Sequence, residues 1–248
     1  MRIAVAGGTG TIGRHIVAAL AEAGHETVVL SRAAGVDLVT GDGLDKALDG
    51  VETVVDTANV STLSRGKAEA FFTAETTHLL EAETRAGVRH HVLLSIVGID
   101  RVPFGYYQGK VLQERLVTEG AVPWTVLRAT QFHEFAAQTR QTLPPGPVAL
   151  VPAARTRPIA AREAAAVLAG LAAGGPQGRV PDLAGPREEY LPAMVRALLR
   201  TRGDRRPVLA LPLPGKAGKA MREGGLLPTG PGPRGTQTFA AWLTEQAR

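Results

Sequence analysis

Two clusters in this chain of 248 residues hold side chains that do chemistry in combination. One is Tyr106-Tyr107-Gln108-Gly109-Lys110, preceded eleven residues earlier by Ser95. On a helix, Tyr106 and Lys110 stand at i and i+4 and share a face. A phenol beside an ammonium has its pKa lowered, because the cation favours phenolate. Such a phenol hands a proton to a carbonyl oxygen as hydride reaches the carbon, while a serine hydroxyl holds the same oxygen. Those roles fall to Tyr106, to Lys110 as its tuner and as a ribose anchor, and to Ser95. Tyr107 is a rival phenol at i, i+3 from Lys110, and Gly109 between them slightly weakens the helix. A Tyr and a Lys at this spacing are also common on amphipathic helices, so the triplet needs support from elsewhere.

The second cluster supplies it. Gly7-Gly8-Thr9-Gly10-Thr11-Ile12-Gly13 places glycines at G-x-x-G-x-x-G, after the apolar run Ile3-Ala4-Val5-Ala6 and before an amphipathic stretch. A strand that turns sharply, lets its backbone approach a pyrophosphate and packs tightly on the following helix needs residues without side chains there. The helix N-terminus adds unpaired N–H groups and a positive dipole end. A lone glycine triplet is weak, but its place between strand and helix points to a dinucleotide. An acid about 20 residues past such a loop normally holds the adenosine 2′-hydroxyl. Here Leu30 is followed by Ser31-Arg32, and the nearest acid, Asp37, lies beyond the turn. Arg32 offers charge-assisted bonds to a 2′-phosphate and Ser31 a hydroxyl donor. NADP(H) is therefore favoured, with NAD(H) the alternative and a plain surface role for Arg32 the bland reading.

These residues are positioned by alternating strand and helix patterns. Short apolar runs at 3–6, 27–30, 52–56, 91–95 and 123–128 read as strands, with Val36-Asp37-Leu38-Val39 a weak further one. Helical spacing covers 11–23, 44–48, 65–86 with Gly87 as its stop, and 106–119. The alternation implies a doubly wound α/β fold with a parallel sheet. Residues 1–140 read as the Rossmann dinucleotide-binding domain. Residues 141–248 read as a small, mostly helical substrate lobe packed on the sheet's carboxyl edge, punctuated by Pro144-Pro145-Gly146-Pro147 and with helices at 161–172, 188–199 and 236–247.

Composition narrows the function. With 44% hydrophobic and 21% charged residues the chain can bury a core. Zero cysteines exclude disulfides, thiolate zinc sites and a cysteine nucleophile. No apolar run reaches the roughly 18 residues of a membrane span, and the first apolar run breaks at Gly7-Gly8 too soon for a secretory core. A cytoplasmic protein with no membrane partner is the expectation. The net charge of +5 does not imply nucleic acid: 23 of the 28 basic residues are dispersed arginines, and the densest cluster, Arg196 to Arg206, is interrupted by Asp204 and reads as a solvated helix end. His90-His91 read as capping or surface residues, since no metal-ligand spacing accompanies them. Trp124, Phe132 and Phe135 read as core and pocket wall, and His133 as a proton donor lining a substrate pocket.

Gly7–Gly13, Ser95, Tyr106-x-x-x-Lys110 and Trp124-Thr125-Val126-Leu127-Arg128-Ala129 together resemble the NmrA-like atypical short-chain dehydrogenases, strongly over 1–140 and more loosely beyond. The resemblance implies that Gly7, Thr9, Gly10, Thr11, Ile12 and Gly13 hold the pyrophosphate, and that Ser31 and Arg32 lie at the adenosine ribose. It implies Asp42 at the adenine edge, Thr57, Ala58 and Asn59 beside the adenine and inner ribose, and Lys110 on the nicotinamide ribose. Ala129, Thr130, Gln131 and Phe132 would border the nicotinamide, with Tyr107, Phe132 and His133 in the substrate pocket. Two departures stand out: the interval from Ser95 to Tyr106 is short, and the tip after residue 56 lacks the usual Asn-Ala-Gly run. The expected activity is NADP(H)-dependent reduction of a carbonyl or quinone in a small apolar molecule, including a tailoring reductase or oxygenase-type step on an aromatic polyketide. The alternatives are a non-catalytic NAD(P)-sensing regulator or scaffold and a sugar-nucleotide epimerase. A small molecule and no nucleic acid are the expected partners, in a monomer or homodimer.

Arg32→Ala is expected to weaken NADPH binding by about tenfold, the loss of one charge-assisted pair, and to leave NADH binding unchanged. Titration with both dinucleotides checks this, and an equal loss for both would remove Arg32 from the 2′-phosphate.

Overall fold

The computed structural model describes residues 1–142 and 146–246. Its elements begin with β1 (Arg2–Ala6), α1 (Gly13–Glu22), β2 (Glu26–Leu30), a 3-10 turn (Arg32–Ala34), α2 (Leu44–Ala47), β3 (Thr53–Asp56) and α3 (Arg65–Ala86). They continue with β4 (His90–Ile96), α4 (Gly105–Glu119), β5 (Trp124–Ala129), α5 (Phe135–Thr142), β6 (Ala149–Pro152), β7 (Arg155–Thr156) and α6 (Ala161–Gly174). The last are β8 (Gly178–Arg179), β9 (Glu189–Tyr190), α7 (Leu191–Thr201), β10 (Val208–Leu211), α8 (Gly215–Arg222) and α9 (Phe239–Gln246). The chain forms two compact units: Met1–Ser95 with Phe104–Arg128 and Arg162–Val180, and Ile96–Pro103 with Ala129–Ala161 and Pro181–Arg248. Among the described residues no helix is long and apolar enough to cross a membrane.

The first unit is built on a six-stranded sheet in the order β2-β1-β3-β4-β5-β8, flanked by helices. β1 pairs in parallel with β2 and β3, β3 with β4, and β5 with β8. This is the doubly wound α/β arrangement, and its strand order reverses between β1 and β3, where such sheets bind ligands at their carboxyl ends. Ile3, Ala4, Val5, Val54 and Val55 are fully buried, as the continuous apolar runs require of a sheet covered on both faces.

Two helices frame the site. Ser64 caps α3 by accepting the Lys67 N–H, and Gly87 ends it in the left-handed conformation at φ 72°. α3 buries Phe72, Glu75, Thr76, Leu79 and Glu83, and α4 buries Tyr107, Gly109, Lys110, Gln113 and Val117. A Cβ on Gly109 would come within 2.9 Å of Ala68 and of the Phe72 ring. The residue that weakens α4 locally is thus the one that lets the helices touch. Arg128 on β5 clamps α4 with two 2.7 Å bonds to the Glu114 carboxylate.

The structure differs from expectation in several elements. Val36–Val39 is a turn, not a strand: Asp37 Oδ1 accepts the Val39 N–H at 2.8 Å, and Gly35, Gly41 and Gly43 hold left-handed backbone around it. The sixth strand is instead β8, two residues long and too short to leave a periodic signal. His90 and His91 are not surface residues: they are 2% and 0% exposed. His91 Nδ1 donates to Glu83 at 2.8 Å, and His90 Nε2 shares a 2.8 Å bond with Thr125 Oγ1. α7 starts at Leu191 because Glu189–Tyr190 pair as β9 with β7. Pro144, Pro145 and Ala247 lie outside the described residues.

In the second unit β6 pairs in parallel with β10, and α7 packs on both through Leu191, Met194, Val195, Leu198 and Leu199. Arg196, Arg200 and Arg205 are exposed at its C-terminal end, and Arg206 pairs with Asp204 at 2.9 Å.

Burial, reinforced by His91, holds His90 near pKa 4, below its ordinary 6.5. A histidine depressed in the fold contributes stability that is complete above pH 6.5 and lost as the pH falls toward 4. The contribution at stake is about 3 kcal/mol at most. Denaturant midpoints are expected to fall less steeply across that window for His90→Gln than for the unaltered protein; parallel curves would show that His90 is not the group titrating.

Candidate functional site

The turn after β1 is shaped by missing side chains. Gly7 sits at φ 73°, and a Cβ there would meet the Thr57 carbonyl oxygen at 2.9 Å. A Cβ on Gly13 would lie 2.1 Å from the Gly7 oxygen and 2.6 Å from Gly8 Cα. Gly10 donates its N–H to Gly7 O at 2.8 Å. α1 starts at Gly13 with no side-chain cap and no acid in its first turn. Thr9 and Gly10 are exposed and Thr11 half-buried. This is a backbone cradle for an anion, and it fits a pyrophosphate.

At the end of β2, Ser31 is extended and half-buried, and Arg32 is exposed with no ion pair among the described residues. Asp42 is exposed and held within its own turn, where Thr40 Oγ1 donates to it at 2.7 Å. The tip of β3 is tied to β1, with Thr57 Oγ1 donating to Ala6 O at 2.8 Å. Asp56, fully buried, accepts the Ala58 N–H at 2.8 Å. Asn59 is exposed, and its Oδ1 accepts the Tyr106 hydroxyl at 2.7 Å.

Sequence reasoning put Ser95, Tyr106 and Lys110 together; the structure gives each a different setting. Ser95 is 1% exposed at the tip of β4, and its hydroxyl has no hydrogen-bond partner among the described residues. Tyr106 is half-buried, edge-on to Phe72 and Tyr107. Tyr107 is buried among rings, 5.5 Å from Phe104, so Tyr106 is the phenol whose hydroxyl meets the β3 tip. Lys110 is 4% exposed; its ammonium donates to Leu94 O at 2.9 Å and to Gln113 Oε1, and lies 5.0 Å from the Phe72 ring centroid. The expected lowering of the phenol by Lys110 is corrected here. Burial, then the neighbouring Tyr107, pushes Tyr106 well above the ordinary tyrosine value, and the Asn59 bond offsets only part of this. Burial also lowers Lys110, against Asp56, Glu75 and Glu114.

Three residues that sequence reasoning passed over join this group. Gln113 Nε2 donates to Asp56 Oδ2 at 2.8 Å and to Glu75 Oε2 at 3.3 Å. Burial and then Asp56 raise the Glu75 carboxyl well above its ordinary value. The available signal was polarity in apolar register: Asp56 ends a buried run, Glu75 lies between Phe72 and Leu79 on one helix face, and Gln113 is i+3 from Lys110.

The residues after β5 fall in the second unit. Ala129 is buried, Thr130 Oγ1 donates to Arg157 O at 2.6 Å, and half-buried Gln131 accepts the Thr156 hydroxyl. Phe132 is half-buried and bridges to Ile159. His133 does not line an opening of its unit: it is 0% exposed, donates to Gln237 O at 3.1 Å and packs on the Phe239 and Trp242 rings. It is a core histidine, because those rings close over it.

A family model described as NAD(P)H-binding matches residues 7–172. A (4-alkanoyl-5-oxo-2,5-dihydrofuran-3-yl)methyl phosphate reductase of Streptomyces griseus subsp. griseus is 30% identical over an alignment of 144 residues that covers 52% of this chain and 48% of the relative, so the chain spans about half the length of that curated relative. The NADPH-dependent quinone oxidoreductase of Escherichia coli, solved with NADPH, shares the fold over 99% of this chain and 100% of its own, at 18% identity and a TM-score of 0.77. Citrobacter sp. triphenylmethane reductase, solved with NADP(H), does so over 100% of both chains, at 15% identity and 0.71.

Gly13→Ala is expected to cost about 1–3 kcal/mol of stability by overpacking and to weaken dinucleotide binding by more than tenfold, read by thermal melting and fluorescence titration. A variant that melts and binds like the unaltered protein would show that the Gly7–Gly13 approach is dispensable.

Proposed function

On the premise that this chain belongs to the NAD(P)H-binding family, we propose that it is an NADP(H)-dependent oxidoreductase reducing a carbonyl or quinone of a small, largely apolar molecule. The observation that carries this reading is the Ser95 hydroxyl, buried at a strand tip without a partner among the described residues. A buried donor left unpaired costs about 1–3 kcal/mol, a cost that a substrate oxygen would relieve.

When bound, the dinucleotide supplies the hydride. The amides of the Gly7–Gly13 turn hold its pyrophosphate, and Arg32 with Ser31 holds the 2′-phosphate. Asp42, Thr57, Ala58 and Asn59 flank the adenosine and inner ribose. Ser95 Oγ donates to the substrate carbonyl oxygen. Tyr106 Oη, which as a phenol is protonated at neutral pH, delivers its proton to the same oxygen. In the free protein Asn59 Oδ1 holds the Tyr106 proton, and substrate oxygen takes its place. The Streptomyces griseus relative is named as a reductase and the Escherichia coli protein as a quinone oxidoreductase, which supports a conjugated carbonyl or quinone; an aromatic polyketide quinone is one substrate within that class.

Dinucleotide oxidation against a panel of quinones and enones tests the reading. Tyr106→Phe is expected to lower turnover by about 10²–10⁴ and Ser95→Ala by about 10²–10³, with dinucleotide affinity kept. Full turnover in Tyr106→Phe would remove its role. Tight dinucleotide binding with no turnover on any substrate would favour a cofactor-sensing regulator instead.

A further inference from the structure

The parallel strands β6 and β10 are apolar on both faces, although α7 covers only one. Val208, Ala149 and Val151 are buried where α7 packs on the pair. Alternation turns Leu209, Leu150 and Leu211 to the opposite side, and they are 53%, 45% and 39% exposed. Leu209 and Leu150 are partners in the ladder, so they stand side by side. Parallel strands with continuous apolar runs are ordinarily buried on both faces, and Ala149-Leu150-Val151-Pro152 and Val208-Leu209-Ala210-Leu211 are such runs. The same corner holds a cluster of arginines. Arg196, Arg200, Arg205 and Arg206 line a cavity of about 480 Å³ that reaches Val208, with Asp204 the one acid among its lining residues. Asp204 is committed to Arg206, and Arg196 Nη2 donates to Val208 O at 2.8 Å. The side chains of Arg200 and Arg205 have no partner among the described residues. The α7 dipole accounts for Arg200, in its last turn, but falls off before Arg205.

We propose that this corner of the second unit docks on an anionic phospholipid surface, with the arginines on headgroup phosphates and the leucines at the boundary with the acyl chains. Guanidinium groups bind phosphate oxygens in pairs, and a basic cluster beside a small apolar insertion is what reversible attachment to such a surface requires. The apolar strip is two strands of four residues. That is too narrow for a stable protein interface, which buries about 800 Å² on each side. A second copy meeting the same corner would set one arginine cluster against the other. The expectation of no membrane partner rests on the absence of a spanning run, which a surface contact does not need. The inference goes beyond the proposed reaction and does not depend on it.

Flotation with phosphatidylcholine vesicles, with and without phosphatidylglycerol, tests this on the full chain. The protein should float with the anionic vesicles only and be released by high salt. Arg200→Gln with Arg205→Gln should weaken that binding by about 25-fold, at about fivefold for each guanidinium near an anionic surface. Leu150→Ser with Leu209→Ser should weaken it by about tenfold. The chain has no cysteine, so Leu209→Cys can carry an environment-sensitive dye, whose emission should shift to the blue on anionic vesicles; a dye on Leu63→Cys, in the first unit, should not respond. No flotation with anionic vesicles, or flotation that both pairs of variants leave unaltered, would overturn the proposal. So would Arg200-dependent binding of inorganic phosphate without vesicle binding, which would assign a soluble phosphate site. Capture by polyglutamate without vesicle binding would assign an acidic polypeptide instead. Thermal melting checks that the variants fold; where a pair does not, the dye and the salt response of the unaltered surface decide.

Discussion

The first unit depends on satisfying several ionisable groups in an interior with little water. Asp56, Glu75, Glu83, His91 and Lys110 come from two strands and two helices, and all are buried. Isolated charges there would be prohibitively costly, so each is paired, bridged or kept neutral. Glu83 meets His91, and Gln113 bridges Lys110 to Asp56 and Glu75. His91 is pulled down by burial yet raised overall by Glu83, whereas burial and then Asp56 raise Glu75. Such a network contributes little net stability against an apolar core of the same shape. Its consequence is geometric: β3, β4, α3 and α4 can satisfy these groups only in one register.

That register explains why small residues matter far from any ligand. Gly109 brings α4 onto Ala68 and Phe72 of α3, which is what lets Lys110 and Gln113 reach Glu75 and Asp56. Gly7 and Gly13 do the same at the other edge, where the β1 turn touches both the β3 tip and the start of α1. The anion cradle and the Tyr106–Asn59 contact are thereby fixed to the same β3 tip, one through Gly7 against Thr57 and the other through Asn59 itself.

In the proposed reaction the Tyr106 phenol gives its proton to the substrate oxygen as the carbon gains hydride. In the free protein burial and the neighbouring Tyr107 keep that proton on the phenol, where it is donated to Asn59 Oδ1.

The order of elements in residues 1–130 was legible in the sequence, because strands buried on both faces must be continuous apolar runs and their helices must be amphipathic. The end of α3 at Gly87 followed from its stop signal, and the glycine turn from its spacing, whereas the Ser64 cap emerged only from the structure. Local signals failed where the deciding interaction was not local. Val36–Val39 looked like a strand until the Asp37 side chain and three left-handed glycines closed it into a turn, and β8 exists only because β5 offers it a partner. His90, His91 and His133 looked exposed or functional because a sequence does not show Thr125, Glu83 or the Phe239 and Trp242 rings arriving from elsewhere. The sequence by itself singled out the candidates for holding a dinucleotide and moving a proton. Only the tertiary structure decided that Lys110 faces Gln113 and Leu94 while Tyr106 faces Asn59, since helical spacing puts both side chains on one face but burial and hydrogen bonding select where each one points.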